Sequence, residues 1–345
     1  MATAAHHISQ PFIGRLRPAP VNGGFTQPDY WVWCGSVVKG EDGRYHMFAS
    51  RWPHHLPMWA GYTMYCEIVR AVADTPEGPF QFEEIALPAR GSQYWDGRMT
   101  HNPAIFKHKD TYILYYVGTT FEGPPLTRDQ MLAGSDVPIQ CWRRINIGVA
   151  TSKSVRGPWK RRDEPIVASR QDHWDQTLAT NPAACVREDG SVLLLYRSSP
   201  LKGERLLLGL VETDHYDGEY RRVTDDPLFL FNDKDNVEDP YLWWNGHHYE
   251  MLAKDMLGGL TGEVHAGVHA YSFDGANWNL APQPKAYSRT VHWADGTVTT
   301  QGSVERPQLL FEKGCPTHLY AATCDGPGGF NKATRTWNMV IPLKA

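Results

Sequence analysis

Trp95-Asp96-Gly97-Arg98-Met99-Thr100-His101-Asn102-Pro103-Ala104 aligns without a gap with Trp174-Asp175-Gln176-Thr177-Leu178-Ala179-Thr180-Asn181-Pro182-Ala183. Each copy runs into an apolar stretch, a charged turn and a second apolar stretch. Self-similarity of this kind, at spacings of roughly 50–80 residues, is what propeller blades with inserted loops leave in a sequence. Working outward, five turn-flanked pairs emerge: 36–39 with 45–50, 104–107 with 112–117, 183–186 with 192–196, 241–244 with 249–253, and 308–311 with 318–322. Asp42-Gly43, Asp189-Gly190 and Asn245-Gly246 lie in the intervening turns, and such dipeptides supply the positive φ that tight hairpins need.

A second phrase follows in the first four units, at 68–80, 146–159, 208–220 and 267–278: an apolar strand, a polar turn with Gly, then an aromatic start to the next strand. Four strands per unit, five units and no helical periodicity beyond two or three turns predict an all-β fold, a five-bladed β-propeller with four antiparallel strands per blade. A jelly roll or sandwich would not repeat inner-strand phrases. Residues 1–345 read as one propeller domain, with a segment of about 1–28, and 11–20 in particular, completing a blade and closing the ring.

Composition narrows the partners. The 34 basic and 38 acidic residues give a net charge of −4, with no Lys/Arg block to track a phosphate backbone, so nucleic acid is not expected. The 13 Trp and 16 Tyr, beside 31 Gly and 25 Pro, suit a turn-rich protein with an aromatic-lined site, where sugar rings stack their C–H faces on indoles. The six cysteines are scattered without a CxxC, which fits a reducing compartment. No signal peptide and no run of about 18 apolar residues is seen, so no membrane partner and a cytoplasmic location are expected, a secreted chain with its signal removed being the alternative.

In a propeller the innermost strands start around one mouth of the axial channel. Aligned on the repeated proline, those starts are Trp33-Cys34-Gly35, His101-Asn102-Pro103, Thr180-Asn181-Pro182, Glu238-Asp239-Pro240 and Glu305-Arg306-Pro307. A proline there is expected to force the preceding residue into extended geometry. Further polar groups should reach the mouth from the second strands and the loops after them: Arg51, Trp52, His54, His55, Arg197, Lys254, Asp255, Glu263, His265 and Asp325. The stretch 238–269 is densest, and Lys254 stands in an apolar strand where a solvated lysine is unexpected. Glycoside hydrolysis needs two carboxyl-type groups across a sugar, which this set supplies. The motifs require no cofactor. His101, His265 and the acids could hold a Ca2+ ion in the central channel, though no ligand spacing demands one.

His101-Asn102-Pro103-Ala104-Ile105, Ile147-Gly148-Val149-Ala150-Thr151-Ser152 with Gly157-Pro158-Trp159, and Glu238-Asp239-Pro240 resemble five-bladed propeller glycoside hydrolases. Families 43, 62 and 117 are the nearest, and families 32 and 130, the latter containing phosphorylases, share much of the grammar. Family 43 takes an aspartate base from its first blade; here Cys34 and Gly35 stand there, with Asp29 the closest acid. Family 117 pairs carboxylates with a histidine acid, and Lys254-Asp255 with Gly262-Glu263-Val264-His265 look closer to that arrangement.

That likeness implies Asp239 or Glu305 as the carboxylate acting on water or the anomeric carbon, and Glu263 or His265 as proton donor. Arg306, Lys254 and Arg51 would hold sugar hydroxyls or a carboxylate. His101, Asn102, Asn181 and Glu238 would bind the ring, and Trp33 would stack on it. A pocket closed by the loops 121–143 and 257–265 implies exo-action on a short plant or algal oligosaccharide. The rival readings are a phosphorylase, a polysaccharide lyase and a non-catalytic sugar-binding propeller.

Overall fold

The computed structural model describes residues 11–200, 205–228, 231, 236–326, 328, 329 and 332–344. Five antiparallel sheets follow one another along the chain. The first holds β1 (Tyr30–Lys39), β2 (Tyr45–Pro53), β3 (Glu67–Ala73) and β4 (Gln81–Leu87); the second β5 (Met99–His108), β6 (Thr111–Thr119), β7 (Asn146–Ser152) and β8 (Lys160–Arg161). The third holds β9 (Thr180–Val186), β10 (Val192–Ser198), β11 (Leu207–Thr213) and β12 (Arg221–Arg222); the fourth β13 (Val237–Trp244), β14 (Tyr249–Asp255), β15 (Gly267–Ser272) and β16 (Asn279–Tyr287). A small hairpin, β17 (Thr290–His292) with β18 (Val298–Thr300), precedes the fifth, which holds β19 (Ser303–Glu312), β20 (Cys315–Cys324) and β21 (Thr336–Pro342).

The strands β1, β5, β9, β13 and β19 touch their neighbours in a closed cycle, which makes them the inner strands of a five-bladed propeller. The fifth sheet is widened from the other end of the chain. Phe25 exchanges both backbone hydrogen bonds with Asn338 at 2.9 Å, Arg17 N–H donates to Pro342 O at 2.9 Å, and Leu16 bridges Leu343. Residues 16–25 therefore flank β21 and tie the first blade to the last. Of the segment read as closing the ring, residues 1–10 lie outside the described residues.

The duplicated Trp-Asp phrase proves to be architectural. Asp96 accepts from Tyr116 Oη at 2.7 Å and pairs with Arg90 at 2.7 Å; Asp175 accepts from Tyr196 Oη at 2.8 Å and pairs with Arg170 and Arg222 at 3.0 Å. Trp95 stacks on Tyr116 and Trp174 on Tyr196, both with ring centroids 5.9 Å apart. Each tyrosine faces a glycine across the ladder, Gly148 and Gly209, where an added Cβ would lie 2.6 Å from the Trp95 ring and 2.4 Å from the Tyr196 ring. Both aspartates are wholly buried, so each network ties its inner strand's entry to the next strand and keeps its carboxylate away from solvent.

What positions the site is a bulge repeated in all five inner strands. The register breaks at Cys34-Gly35, Asn102-Pro103, Asn181-Pro182, Asp239-Pro240 and Arg306-Pro307, each pair facing a single residue on the second strand. The first residue of each pair is left-handed, with φ of 53°, 51°, 55°, 58° and 54° in chain order. This corrects the extended geometry expected before proline. A bulge leaves its extra residue without a ladder partner, so proline's missing N–H goes unnoticed there, and the left-handed residue re-aims its side chain toward the axis. Asn and Asp tolerate that conformation; Cys34 and Arg306 are less suited and each stores strain of about 1–3 kcal/mol.

Candidate functional site

The five left-handed residues form a chain of hydrogen bonds around the axis, four through their side chains and Arg306 through its backbone. Cys34 Sγ donates to Asn102 Oδ1 at 2.8 Å, Asn102 Nδ2 to Asn181 Oδ1 at 2.8 Å, and Asn181 Nδ2 to Asp239 Oδ1 at 2.6 Å. Arg306 then donates its backbone N–H to Asp239 Oδ2 at 3.2 Å. Each blade contributes one member, so the ring is as much a record of the repeat as the sequence phrases are.

Beside this ring lies a cavity of about 340 Å3 that gathers three carboxyl groups and three cations. Lys254 Nζ is 3.0 Å from Glu238 Oε2, 3.0 Å from Glu305 Oε1 and 3.5 Å from Asp239 Oδ2. Arg197 Nη2 lies 2.7 Å from Glu238 Oε1, and Arg306 Nη1 is 3.8 Å from Asp239 Oδ1. Strand pairing dictates the first contact, because Glu238 and Lys254 are directly opposed on β13 and β14. The lysine that looked misplaced in an apolar strand is thus the hub of a buried ion cluster.

The cluster drives its two glutamates apart. Burial pushes Glu305 up, Asp239 and Glu238 add to the push, and Lys254 only partly offsets it, so the carboxyl titrates at about 7. Burial would also raise Glu238, but Lys254 and Arg197 outweigh it and hold that carboxyl at about 2. Burial opposes charge on Lys254 as well, yet the three carboxylates around it raise the ammonium well above its usual range. His101, buried and facing Arg306, is pushed down to about 3 and is neutral at pH 7.

Aromatic rings wall the cavity: Trp33, Trp52, Trp59, Tyr62 and Trp142. Trp59 and Tyr62 come from helix α1 (Met58–Tyr65), inserted between β2 and β3. Between β6 and β7 stand α2 (Arg128–Leu132), started by a Thr127/Gln130 capping box, and α3 (Val137–Arg143), which carries Trp142. The two inserts share a small core of Leu56, Ala60, Met64, Phe121, Met131 and Cys141, which seats them beside the funnel. Tyr62 lies over His101 with ring centroids 4.9 Å apart, and Cys66 Sγ is 3.1 Å from His101 Nδ1, so that imidazole is fixed on two sides.

Of the twelve residues given catalytic or binding roles from sequence, ten line this cavity: Trp33, His101, Asn102, Asn181, Glu238, Asp239, Lys254, His265, Glu305 and Arg306. Arg51 and Glu263 do not, nor do His54, His55, Asp255 and Asp325, which were read as reaching the mouth. Arg51 lies between the Tyr30 and Phe82 rings, 4.2 and 4.1 Å from their centroids, and bonds Glu67 and Gln27. Glu263 is a loop latch: its carboxylate accepts from Ser288 Oγ at 2.9 Å and Arg289 N at 3.0 Å and pairs with Lys285 at 3.2 Å. Asp255 pins the other end of that loop, accepting from the backbone N–H of Leu257, Gly258, Leu260 and Thr261. Two residues past Glu263, His265, at φ 64°, lines the cavity.

Trp52 and Arg197, read from sequence as reaching the mouth, also line the cavity, whereas Trp59, Tyr62, Trp142 and Met256 were not singled out. Their one sequence signal was aromatic density in the inserts. Among the described residues no group of three or more His, Cys, Asp and Glu side chains is placed to hold a metal. A larger cavity of about 810 Å3 opens at the far ends of the inner strands, among Phe106, Tyr241, Trp243, Trp244 and Phe311. It lacks the buried ion cluster, and for that reason the smaller cavity is the candidate site.

No protein-family model matches the sequence, and no curated protein matches it. Solved structures do. BT0996 in complex with RGII superposes with a TM-score of 0.67 at 13% identity, over 98% of this chain and 95% of that one. Zg3597, a family 117 glycoside hydrolase from the marine bacterium Zobellia galactanivorans, gives 0.62 at 14% identity, over 97% and 92%. A thermostable family-43 glycoside hydrolase gives 0.59 at 12% identity, over 93% and 96%. Over most of its length, then, the chain has the propeller fold of the family 117 and family 43 glycoside hydrolases.

Proposed function

We propose that the chain is a glycoside hydrolase working in this cavity, with Glu305 as proton donor to the leaving oxygen and Glu238 as the ionised carboxylate acting on water or the anomeric carbon. The carrying observation is two carboxyl groups on one lysine, each 3.0 Å from Lys254 Nζ, of which only Glu238 is also held by Arg197, at 2.7 Å, so that burial raises Glu305 while the two cations keep Glu238 ionised. One acid protonated near neutral pH and one ionised is the pairing that glycosidic hydrolysis needs. Accessibility chooses between Glu238 and Asp239 as the partner of Glu305: the Glu238 side chain is 17% exposed, against 4% for Asp239. Asp239, bound into the axial ring, then acts by setting the field around Glu305.

Glu305 thereby passes from the carboxylate side of the reaction to the donor side, and Glu263 takes no part in it. His265, pushed down by burial, Lys254 and Arg289, is neutral and serves a sugar hydroxyl. Trp33, Trp52 and Trp142 offer stacking faces. The similarly folded structures are named as glycoside hydrolases or as a complex with RGII, which supports an oligosaccharide substrate. The inserts beside the cavity and the pinned 257–265 loop support exo-action on a short plant or algal oligosaccharide.

The test is incubation with a panel of aryl glycosides and plant or algal oligosaccharides, followed by product analysis. Release of a single monosaccharide, lost on Glu305→Gln, is expected. Binding of glycans with none cleaved anywhere on the panel would make this a sugar-binding propeller instead.

A further inference from the structure

Two guanidinium groups of the cavity have donors that make no hydrogen bond among the described residues, the 3.8 Å approach of Arg306 Nη1 to Asp239 Oδ1 being too long for one. Arg306 is 2% exposed, yet its Nε, Nη1 and Nη2 all lack a hydrogen-bond partner among the described residues. Arg197 gives Nη2 to Glu238 but leaves Nε and Nη1 unpaired, in a residue 8% exposed. Both side chains line the same cavity. Other buried arginines are satisfied in the ordinary way: Arg70 bonds Glu84 and His46, and Arg51 bonds Glu67 and Gln27. Buried donors on a charged group are costly to leave unused, and proteins keep them where function supplies the acceptor.

Charge points the same way. Arg197, Lys254 and Arg306 face Glu238, Asp239 and Glu305, and when Glu305 carries the proton a donor must carry, the cations exceed the carboxylates by one. A sugar hydroxyl would accept a hydrogen bond and leave that excess in place. A carboxylate would answer both, since its two oxygens match the planar guanidinium fork.

We infer that the cavity takes an acidic sugar, a uronosyl residue whose carboxylate is recognised by Arg306 and Arg197. This rests on the reading of the cavity as a sugar site and adds the class of sugar. Inorganic phosphate shares the anion chemistry and is the competing source of charge.

The experiment is calorimetric titration of the full chain with D-glucuronate and D-galacturonate, with D-glucose and D-galactose as matched neutral probes, and with inorganic phosphate as a third arm. The acidic sugar of at least one pair should bind about 10–100-fold tighter than its neutral counterpart, the range for a charge-assisted pair. Arg306→Gln or Arg197→Gln should shrink that preference about tenfold or more. Equal binding of acidic and neutral sugars by the native protein overturns the inference whether or not either variant folds. So does a preference untouched in both variants, or phosphate binding tighter than either uronate. Hydrolysis tested in parallel separates the two claims: cleavage confined to neutral glycosides ends this inference and leaves the hydrolase reading, while uronate binding without cleavage of any glycoside does the reverse.

Discussion

Replacing Lys254 by Met keeps an apolar-compatible side chain in β14 but deletes the one ammonium shared by Glu238, Glu305 and Asp239 at 3.0, 3.0 and 3.5 Å. Removing one partner of a buried ion cluster costs ~3–5 kcal/mol, because the charges left behind are buried without compensation. Here those charges can instead take up protons, which makes the loss depend on pH. Glu238 is held at about 2 because Lys254 and Arg197 together outweigh its burial; with Lys254 gone, burial regains ground and the carboxyl rises. Glu305, already at about 7, loses its closest cation and rises further. A carboxyl whose folded pKa is raised contributes stability that is present below its unfolded value of ~4.3 and is lost as pH climbs through the folded value. The variant should therefore lose an additional ~1.4 kcal/mol per pH unit for each extra proton its folded state retains. Urea denaturation followed by tryptophan fluorescence at pH 5 and pH 8 measures this directly. The expected result is a loss of ~3–5 kcal/mol at pH 8 and a clearly smaller one at pH 5. An equal loss at both values, or a larger one at pH 5, would refute the reasoning.

Glu305→Gln should lower kcat/KM by ~100-fold or more, and the fall in rate that the native protein shows above a pH of about 7 should disappear, as a pH–rate profile will show. His101, at about 3 when folded because of burial and Arg306, should cost stability as pH falls from its unfolded value of ~6.5 toward that point; thermal melts at pH 7 and pH 4 should show the loss, and His101→Gln should flatten it. Asp175→Asn breaks the pairs to Arg170 and Arg222 and should lower stability by ~3–5 kcal/mol in denaturant, while the pH–rate profile of the folded fraction keeps its shape.

The fold was legible because each blade must build the same inner bulge, and that requirement leaves Asn-Pro, Asp-Pro or Arg-Pro at matching places in four of the five units. The aligned inner-strand starts located eight of the ten chosen residues that line the cavity, and the second strand and following loop of the fourth blade supplied Lys254 and His265. What sequence position could not supply was direction. Arg51 and Trp52 are neighbours in β2, so the alternation of the strand sends Trp52 to the cavity and Arg51 to the far face. Glu263 and His265 are two apart in one loop, and the left-handed turn at His265 parts them. The preference of a residue before proline for extended geometry misled for a physical reason: the bulge, set by pairing across the blade, overrides a local preference worth less than the ladder. Trp59 and Tyr62 sit three apart on one short helix whose sequence has no amphipathic pattern, and only its packing against the second insert brings that face to the cavity.

Water labelled with oxygen-18 offers the most direct test of glycosidic hydrolysis in the cavity with Glu305 as donor. With the oligosaccharide that the panel identifies, the native protein should release a monosaccharide carrying one labelled oxygen at its anomeric carbon, and Glu305→Gln should release it at least about 100-fold more slowly. An unlabelled product with ultraviolet absorbance from a new double bond, or a sugar phosphate formed only when phosphate is supplied, would contradict the account.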